Sequence, residues 1–195
     1  MKIIIYCEER VKMTELEKLK NGLEYEFSDP EIGELNRRAN DLIFEYNHTN
    51  PNNSERLSEI LNELFGERDS WIQIVPPFTC GYGCNINLGK NFFANSGLTI
   101  VEGGRVFIGD TCIIGPNVSI YTVNHSVDPV QRFNGGVELK DVVIGDNIWI
   151  GGSVVICPGV HIGNNCVVVA GSVVTKNFGD NVMIGGVPAK VIKKI

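Results

Sequence analysis

The most regular feature of this 195-residue chain is an aliphatic residue at every sixth position of its C-terminal part. Six of them follow one another without a gap: Ile144, Ile150, Ile156, Ile162, Val168 and Val174. A helix repeats its apolar face every 3.6 residues and a strand every two, so neither period fits. We interpret the pattern as a parallel β-helix with three flat faces, each a short strand whose leading aliphatic side chain points inward.

Earlier parts of the chain continue this period. Ile108, Ile114 and Ile120 keep the phase, whereas Leu88, Ala94 and Ile100 are offset by two, which indicates a small insertion near residues 102–104. Three faces predict about 18 residues per turn, with parallel strand pairing between turns. Residues four places after a leader would fill the rest of the interior: Cys112, Val118, Val154, Val160, Cys166 and Ser172. Gly-Asp-Asn and Gly-Asn-Asn steps suit the corners.

The first third of the chain has helical spacing instead. A helix is predicted from Asp29, a suitable cap, and Pro30, which fits the first turn, and a second from about Ser54 until Gly66. We expect the two helices to form a hairpin that packs against something larger. The predicted organisation is an N-terminal helical segment at residues 1–70, of which residues 1–12 are a candidate upstream extension, and a β-helix at residues 71–195.

Composition and charge narrow the classes of function. The formal net charge of -6 disfavours nucleic acid or an anionic membrane as the main partner, because both select basic surfaces. The apolar run at the N-terminus is too short for a secretory signal or a membrane span, so a cytoplasmic protein is predicted. The six cysteines lack the spacing of metal ligands and are expected to be reduced and mostly buried.

The period of six is interrupted directly after His125. This residue ends the repeat that Ile120 begins, and the next leading position is Ser126 rather than an aliphatic residue. Residues 126–141 are therefore predicted to leave the coil as a loop, and long loops on rigid scaffolds often carry binding residues. From the residues alone, His125 is either an ordinary surface histidine or a general base. Trp149 follows a leading residue and should point outwards, where aromatic rings often cover a ligand or partner.

Several segments together resemble the maltose and galactoside O-acetyltransferase family of left-handed parallel β-helix proteins. They include GLEYEFSDPEI, FEYNHTNP, NINLGKNFFANSGLTI, IGDTCIIGPNVSIYTVNH, IGDNIWIGGSVVICPGVHIG and GGVPAKVI, and they extend from about residue 14 to the end. The resemblance implies a left-handed coil, which the period by itself does not show. It also implies transfer of an acetyl group from acetyl-coenzyme A to a sugar hydroxyl, without a metal, in a homotrimer with active sites between neighbouring subunits.

The resemblance also assigns roles to individual positions. The segment YTVNH matches the family segment that ends in the catalytic histidine, so His125 is the expected general base. The expected acceptor-binding residues are Glu26, Gly81, Phe93, Asn95 and Val137. The expected coenzyme-binding residues are Trp149, Gly152, Ala170, Thr175, Lys176, Lys190 and Lys193. Residues 144–195 carry four lysines and two aspartates, a basic end that suits the coenzyme phosphates.

The departures from the family pattern lie on the acceptor side. Gly81 stands where relatives commonly have Asp or Ser, Glu26 replaces a more usual Asp, and Val137 stands where an acidic residue or Met is frequent. Acetyl-coenzyme A is therefore the expected donor. The acceptor stays open among maltose, a galactoside, another saccharide and a non-sugar hydroxyl such as that of an antibiotic.

Three other mechanisms or classes remain as alternatives. A covalent acyl-cysteine would need an activated thiol, and Cys84 and Cys157 have no activating partner visible in the sequence. A zinc-dependent hydratase on the same fold needs three histidines, whereas His125 and His161 are the two in the repeat region. A binding module without chemistry would have no reason to keep both His125 and Trp149.

Overall fold

A computed structural model describes residues 13–67 and 70–195, so the candidate extension at residues 1–12 lies outside the described residues. The helices are α1 (Glu15–Lys20), α2 (Pro30–His48), α3 (Ser54–Phe65) and α4 (Pro129–Phe133). Strands are numbered in chain order and form the three faces of a coil and one separate hairpin. None of the helices within the described residues is long and apolar enough to cross a bilayer.

The first face contains β1 (Ile72–Ile74), β4 (Phe92–Ala94), β7 (Ile113–Ile114), β12 (Trp149–Ile150), β15 (Val167–Val168), β17 (Val182–Gly186) and β18 (Ala189–Lys194). The second face contains β2 (Phe78–Cys80), β5 (Leu98–Val101), β8 (Ser119–Tyr121), β13 (Val155–Ile156) and β16 (Val173–Val174). The third face contains β3 (Ile86–Leu88), β6 (Val106–Ile108), β11 (Val142–Ile144) and β14 (His161–Ile162). An antiparallel hairpin of β9 (Val123–His125) and β10 (Val137–Leu139) stands apart from the faces.

The parallel β-helix predicted from the period of six is confirmed. The chain visits the three faces in turn, and strands one turn apart pair in parallel, as Trp149 does with Val167. The last strand, β18, instead pairs antiparallel with β17. The leading aliphatic residues are buried, from Leu88 to Val174. The second set of interior positions is buried as well: Cys112, Val118, Val154, Val160, Cys166 and Ser172. The inner column is therefore continuous and dry, which is the main source of hydrophobic stabilisation.

The turns differ in length, and the differences fall at one place. Ile72 pairs with Phe92, a step of 20 residues. Trp149 pairs with Val167, a step of 18, and Val167 with Met183, a step of 16. The prediction of about 18 residues per turn is thus right only for the middle of the C-terminal part. Residues are added or removed only between the second and third faces, which we call the variable corner, and the predicted insertion at residues 102–104 lies there.

The corner between the third and first faces, which we call the ladder corner, is uniform. The Asp146 carboxylate accepts from the backbone N–H of Asp110 at 2.8 Å, and Asn164 Oδ1 accepts from the N–H of Asp146 at 2.8 Å. Asp180 continues the ladder by accepting from the N–H of Asn164 at 2.7 Å. The next residue in several of these turns has a positive φ: Asn91, Thr111, Asn147, Asn165 and Asn181. The predicted use of Gly-Asp-Asn steps as corners is therefore confirmed. Asparagine suits these positions because it tolerates the left-handed region.

The helical segment closes one end of the coil. Helix α2 begins at Pro30 with Asp29 as its cap, and α3 ends before Gly66. The two helices form a hairpin against the first turn, where Asn47 exchanges two 2.8 Å hydrogen bonds with the backbone of Phe78. The buried hydroxyl of Tyr46 donates to the carbonyl of Ile74. Together these bonds satisfy strand groups that have no further turn to pair with.

Helix α1 was not predicted, although its signal is present in the sequence. Thr14 and Glu17 form a reciprocal capping box, in which the Thr14 side chain accepts from the Glu17 N–H and the Glu17 carboxylate accepts from the Thr14 N–H. This pattern of Ser or Thr followed three residues later by Glu marks a helix start. The helix is one and a half turns long, and only Leu19 on it is buried, so its apolar period is too short to recognise.

The ladder corner generates a stability prediction. A methyl group added to Gly145 would lie 2.5 Å from Asn164 Oδ1 and 2.9 Å from the Gly163 carbonyl carbon. We expect Gly145→Ala to lower the free energy of unfolding by about 1–3 kcal/mol, as for overpacking in a rigid core, measured by urea unfolding followed by circular dichroism.

The matched control is Gly179→Ala. Gly179 precedes Asp180 at the last step of the same ladder, and a methyl group there meets no described atom within 4 Å. Its urea midpoint should stay close to that of the parent protein. Equal destabilisation by both substitutions would contradict the argument from close stacking.

Candidate active site

The excursion that carries His125 has a fixed base at the variable corner. The buried Thr122 hydroxyl accepts from the N–H groups of Gly103 and Gly104 at 3.0 and 3.1 Å. At the other end, the Asp141 carboxylate binds the Arg105 guanidinium at 2.6 Å and the Arg105 N–H at 2.8 Å. The chain therefore leaves and re-enters the coil at two points that are held by the preceding turn. A short hairpin on such a base has a defined direction.

His125 lies on this hairpin rather than before it. It ends β9, which leaves the coil at Val123, and it pairs in register with Val137 of β10. His125 is exposed, and its ring forms no hydrogen bond with the residues that the structure describes. His125 and Val137 line an open groove of about 710 Å³ together with Glu24, Asn124, Ser126, Val127, Gln131, Gly136 and Glu138. The histidine is thus accessible to an acceptor, whichever tautomer it adopts.

The N-terminal segment contributes Glu24 to the lining of this groove. Tyr25 is 6% exposed and packs in a cluster with Leu19 and Ile32, with Tyr82 and Leu139 at its edge. The Tyr25 hydroxyl donates to the Tyr82 hydroxyl at 3.0 Å. Burial and this hydrogen bond raise the pKa of Tyr25, so the phenol stays neutral and structural. The segment that carries Glu24 and Glu26 is therefore anchored to the coil by Tyr25.

A buried carboxylate fixes the turn that contains Gly81. Glu102 is 2% exposed and accepts from the N–H groups of Gly81, Tyr82 and Gly83 at 2.7, 2.6 and 2.5 Å. Burial raises the pKa of Glu102, and the three N–H donors oppose that rise. A methyl group on Gly81 would lie 3.0 Å from the Glu102 carbonyl oxygen and 3.2 Å from its Oε2. The turn leaves little room for the larger side chain that the family pattern places at position 81.

A second group of expected site residues lies on the first face. Trp149 is 56% exposed and pairs with Ile113, which is 51% exposed, and Phe93 is the next residue along this outward row. Asn95, Gly152 and Ala170 lie at the corner between the first and second faces, which we call the glycine corner. There a methyl group on Gly151 would lie 2.5 Å from the Ala170 nitrogen, so backbone lies directly on backbone. The result is an open strip beside an exposed indole.

The four remaining coenzyme-binding candidates divide between two places. Thr175 and Lys176 follow β16 at the variable corner, and both are exposed. Lys190 and Lys193 lie on β18, the outermost strand of the first face, and are exposed too. Lys176 Nζ lies 5.6 Å from the centre of the Phe178 ring. All three lysine side chains can reach a ligand along the outside of the coil.

One chain does not bring all of these residues together. His125, Val137, Gly81, Thr175 and Lys176 lie at or near the variable corner, with Glu26 on the segment packed over it. The other group, Phe93, Asn95, Trp149, Gly152 and Ala170, lies on the first face and the glycine corner. The second face separates the two, and six extended residues span about 20 Å. Within one chain, the groove at His125 does not include Trp149 or Asn95.

The geometry bears on two of the alternatives. Burial raises the pKa of the Cys84 thiol to about 11 and also raises that of Cys157, which is opposite to the shift that an acyl-cysteine nucleophile requires. His161 projects from the third face at β14, whereas His125 is on the hairpin outside the coil, so the two do not stack. Within residues 13–67 and 70–195, no three His, Cys, Asp or Glu side chains lie close enough to share a metal ion.

Two residues near the groove escaped the sequence analysis. Glu102 had a visible signal, since it is a single carboxylate in the apolar stretch LTIVEGG at the point where the repeat gains residues. Glu24 had no such signal in the sequence, because its position against the hairpin depends on the tertiary packing of the next residue, Tyr25.

Known proteins show the same organisation. Residues 18–68 match the family described as "Maltose acetyltransferase hexapeptide capping motif", and residues 141–176 match "Bacterial transferase hexapeptide (six repeats)". The galactoside O-acetyltransferase of Escherichia coli K12 is 42% identical over 166 residues, which cover 84% of this chain and 81% of that protein.

Two solved structures are similar over most of their length. A hexapeptide-repeat acetyltransferase from Vibrio cholerae, complexed with acetyl coenzyme A, has a TM-score of 0.89 and 35% identity, and the match covers 93% of this chain and 98% of that one. A maltose O-acetyltransferase from Clostridium difficile has a TM-score of 0.88 and 41% identity, with coverage of 94% and 98%. These matches define a hexapeptide-repeat protein of the bacterial transferase type. The chain belongs to the maltose and galactoside O-acetyltransferase family.

The raised thiol pKa values generate a prediction about reactivity. Because the pKa of Cys84 is about 11, only a small fraction is thiolate near neutral pH, and this fraction keeps growing as the pH rises. We expect alkylation of Cys84 by iodoacetamide, followed by peptide mass spectrometry, to accelerate up to at least pH 10. Free cysteine, with a pKa of about 8.5, should reach its plateau earlier in the same mixture. A plateau for Cys84 below pH 8 would show an activated thiol.

Proposed function

We propose that this protein transfers an acetyl group from acetyl-coenzyme A to a hydroxyl group of a saccharide, with His125 as the general base. The observation that carries the proposal is the position of His125. It is exposed on a firmly based hairpin, in a polar groove, at the one large interruption of the coil. Membership of the family, whose relatives include a galactoside and a maltose O-acetyltransferase, supports both the donor and the class of acceptor.

The proposed reaction is direct attack in a ternary complex. The imidazole of His125 takes the proton of the acceptor hydroxyl while the oxygen attacks the thioester carbonyl carbon. The tetrahedral intermediate then collapses, the carbon–sulfur bond breaks, and the coenzyme leaves as a thiol with the proton returned by the imidazolium. The products are an acetyl ester and free coenzyme A. The raised pKa values of Cys84 and Cys157 favour this route over an acyl-cysteine.

We assign acetyl-coenzyme A mainly to the first face and the glycine corner, with Thr175 and Lys176 contributing from the variable corner. The exposed Trp149 ring offers an apolar surface, and the close-packed backbone at Gly152 and Ala170 leaves room for the extended arm of the coenzyme. Thr175, Lys176, Lys190 and Lys193 are proposed to line the rest of the coenzyme site, where the lysines would bind its phosphates as positive charges. The similar Vibrio cholerae structure contains acetyl coenzyme A, which supports the same donor here.

We further propose a homotrimer in which each active site combines two chains. The acceptor groove and the coenzyme strip lie at different corners of one chain, so a neighbouring chain must supply one of them. A threefold arrangement of three-sided coils would place the variable corner of one chain against the first face of the next. The apolar outward row of Phe93, Ile113 and Trp149 gives such an interface its apolar area.

The acceptor side is assigned more broadly. Val137 is proposed to contact the acceptor as the cross-strand neighbour of His125, and Phe93 and Asn95 would approach it from the adjoining chain. Gly81 is proposed to shape the groove from the variable corner, whereas the Glu26 carboxylate binds Ser28 and lies outside the groove lining. A hydroxyl on a non-sugar compound such as an antibiotic is chemically equivalent, so the acceptor panel has to include both.

The proposed role of His125 can be tested by an acetyl-transfer assay. Release of free coenzyme A thiol would be measured with maltose, galactosides, other saccharides and hydroxylated antibiotics as acceptors. We expect His125→Ala to reduce turnover by about 10²- to 10⁴-fold with an unchanged circular dichroism spectrum, because a general base contributes about that factor. His161→Ala, which removes an exposed histidine from the third face, serves as the control and should keep full activity. Turnover by folded His125→Ala at the rate of the parent would refute the assignment.

The proposed sharing of active sites between chains can be tested with mixed trimers. We expect Trp149→Ala to raise the KM for acetyl-coenzyme A, whereas replacement of the equally exposed Trp71 should not. Co-expressed His125→Ala and Trp149→Ala chains should form mixed trimers of three 21.4 kDa chains, confirmed by analytical ultracentrifugation. Some of their sites would join an intact His125 to an intact Trp149 and regain activity at low acetyl-coenzyme A. Activity no higher than the average of the two separate variants would place the whole site in one chain.

A further inference from the structure

The groove at His125 contains two carboxylates with different partners. Glu138 forms an ion pair with Lys140 at 2.9 Å, which neutralises its charge locally. Glu24 is exposed and forms no ion pair or side-chain hydrogen bond with any residue in the described part of the chain. Its two oxygens are therefore available to accept hydrogen bonds from a bound molecule.

Glu24 is also held in place, unlike most exposed acidic residues. The next residue, Tyr25, is buried, and its hydroxyl bonds to that of Tyr82. The backbone N–H of Tyr82 in turn donates to the buried Glu102 carboxylate at 2.6 Å. A carboxylate on a fixed backbone loses less conformational freedom when it binds a ligand than one on a mobile loop.

Glu26, the acidic residue that the family pattern indicates, is engaged elsewhere. Its Oε1 accepts from the Ser28 hydroxyl at 2.9 Å and from the Ser28 N–H at 3.2 Å. Its own N–H donates to Glu15 at 2.8 Å. Glu26 therefore serves the turn that leads into α2, and it is not among the residues that line the groove.

Within the described part of the chain, the unpaired carboxylate in the lining of the groove, that of Glu24, is negative. Among the described residues, the lining contains two glutamates and no lysine or arginine. Arg132, on the nearby α4, directs its guanidinium to the carbonyl oxygens of Ser126 and Val127 at 3.1 and 3.4 Å. A neutral acceptor rich in hydroxyl groups, or one with a positive charge, suits such a lining, whereas an anionic acceptor would be repelled.

We propose that Glu24, in place of Glu26, is the acidic residue that binds the acceptor beside His125, and that it selects neutral or cationic acceptors over anionic ones. The inference rests on the proposed function. Glu24 would accept hydrogen bonds from acceptor hydroxyls that are not the reacting one. It would thereby orient the acceptor and discriminate by charge, without taking part in the proton transfer.

The experiment uses the full chain and the neutral glycoside that gives the fastest thiol release. We expect Glu24→Gln to raise the KM for this acceptor about tenfold, as for loss of a hydrogen bond to a charged group, with the KM for acetyl-coenzyme A unchanged. Glu26→Gln is the matched control, since it changes a carboxylate two residues away, and it should leave both KM values within about twofold. Thermal melts of both variants test for a general loss of structure.

A charge reversal tests the selectivity. The matching hexuronide, which differs by a carboxylate at carbon 6, would be used as a competitive inhibitor of the neutral acceptor, so that the result does not depend on which hydroxyl is acetylated. Glu24→Lys should lower its inhibition constant at least tenfold, and Glu26→Lys should not.

The outcomes are distinct. Effects confined to position 24 support the inference. Effects confined to position 26, or equal KM values in the parent and Glu24→Gln, overturn it while leaving the acetyltransferase intact. No thiol release by the parent protein with any acceptor would instead refute the proposed function, and the inference with it.

Discussion

The structure depends on the direct stacking of one turn of the coil on the next. At the ladder and glycine corners, successive turns lie so close together that a side chain larger than glycine would clash with the next turn, as at Gly145 and Gly151. The same stacking brings each inward aliphatic residue onto the one below, which excludes water from the centre. Strand pairing, corner hydrogen bonds and core packing therefore all require the same six-residue spacing. This explains why the six-residue period is strict at the ladder and glycine corners.

The variable corner is the place where this requirement is relaxed. Turns of 20, 18 and 16 residues differ only there, and the hairpin of β9 and β10 leaves the coil there. Added residues bring polar backbone groups into a half-buried position, and each group needs a partner. Glu102, Thr122 and Asp141 supply those partners from the neighbouring turns. Two of these residues, Thr122 and Asp141, also hold the base of the hairpin that carries His125.

The corners of the coil therefore suit different ligands. The glycine corner offers a smooth, exposed backbone strip, which suits an extended donor such as acetyl-coenzyme A. The variable corner offers side chains on loops and a hairpin, which suit recognition of a small polar acceptor. An active site that needs both is most simply completed by a second copy of the chain. The departures from the family pattern at positions 81 and 137 lie on the proposed acceptor side, which agrees with a family whose acceptors vary.

The sequence by itself determined the coil, its interior and the two longer helices, because each follows from a local period or cap that repeats or stands in a clear order. It also singled out His125, since a break in a strict repeat is visible in one dimension. Family resemblance, rather than the residues, supplied the left hand of the coil and the chemical roles. Helix α1 was missed because one and a half turns carry too little periodicity. Only the tertiary structure decided which acidic residue faces the groove, why position 81 is a glycine, and that His125 and Trp149 lie at different corners. These depend on contacts such as those between Tyr25 and Tyr82, or Glu102 and Gly81, whose partners are far apart in the chain and follow no spacing rule.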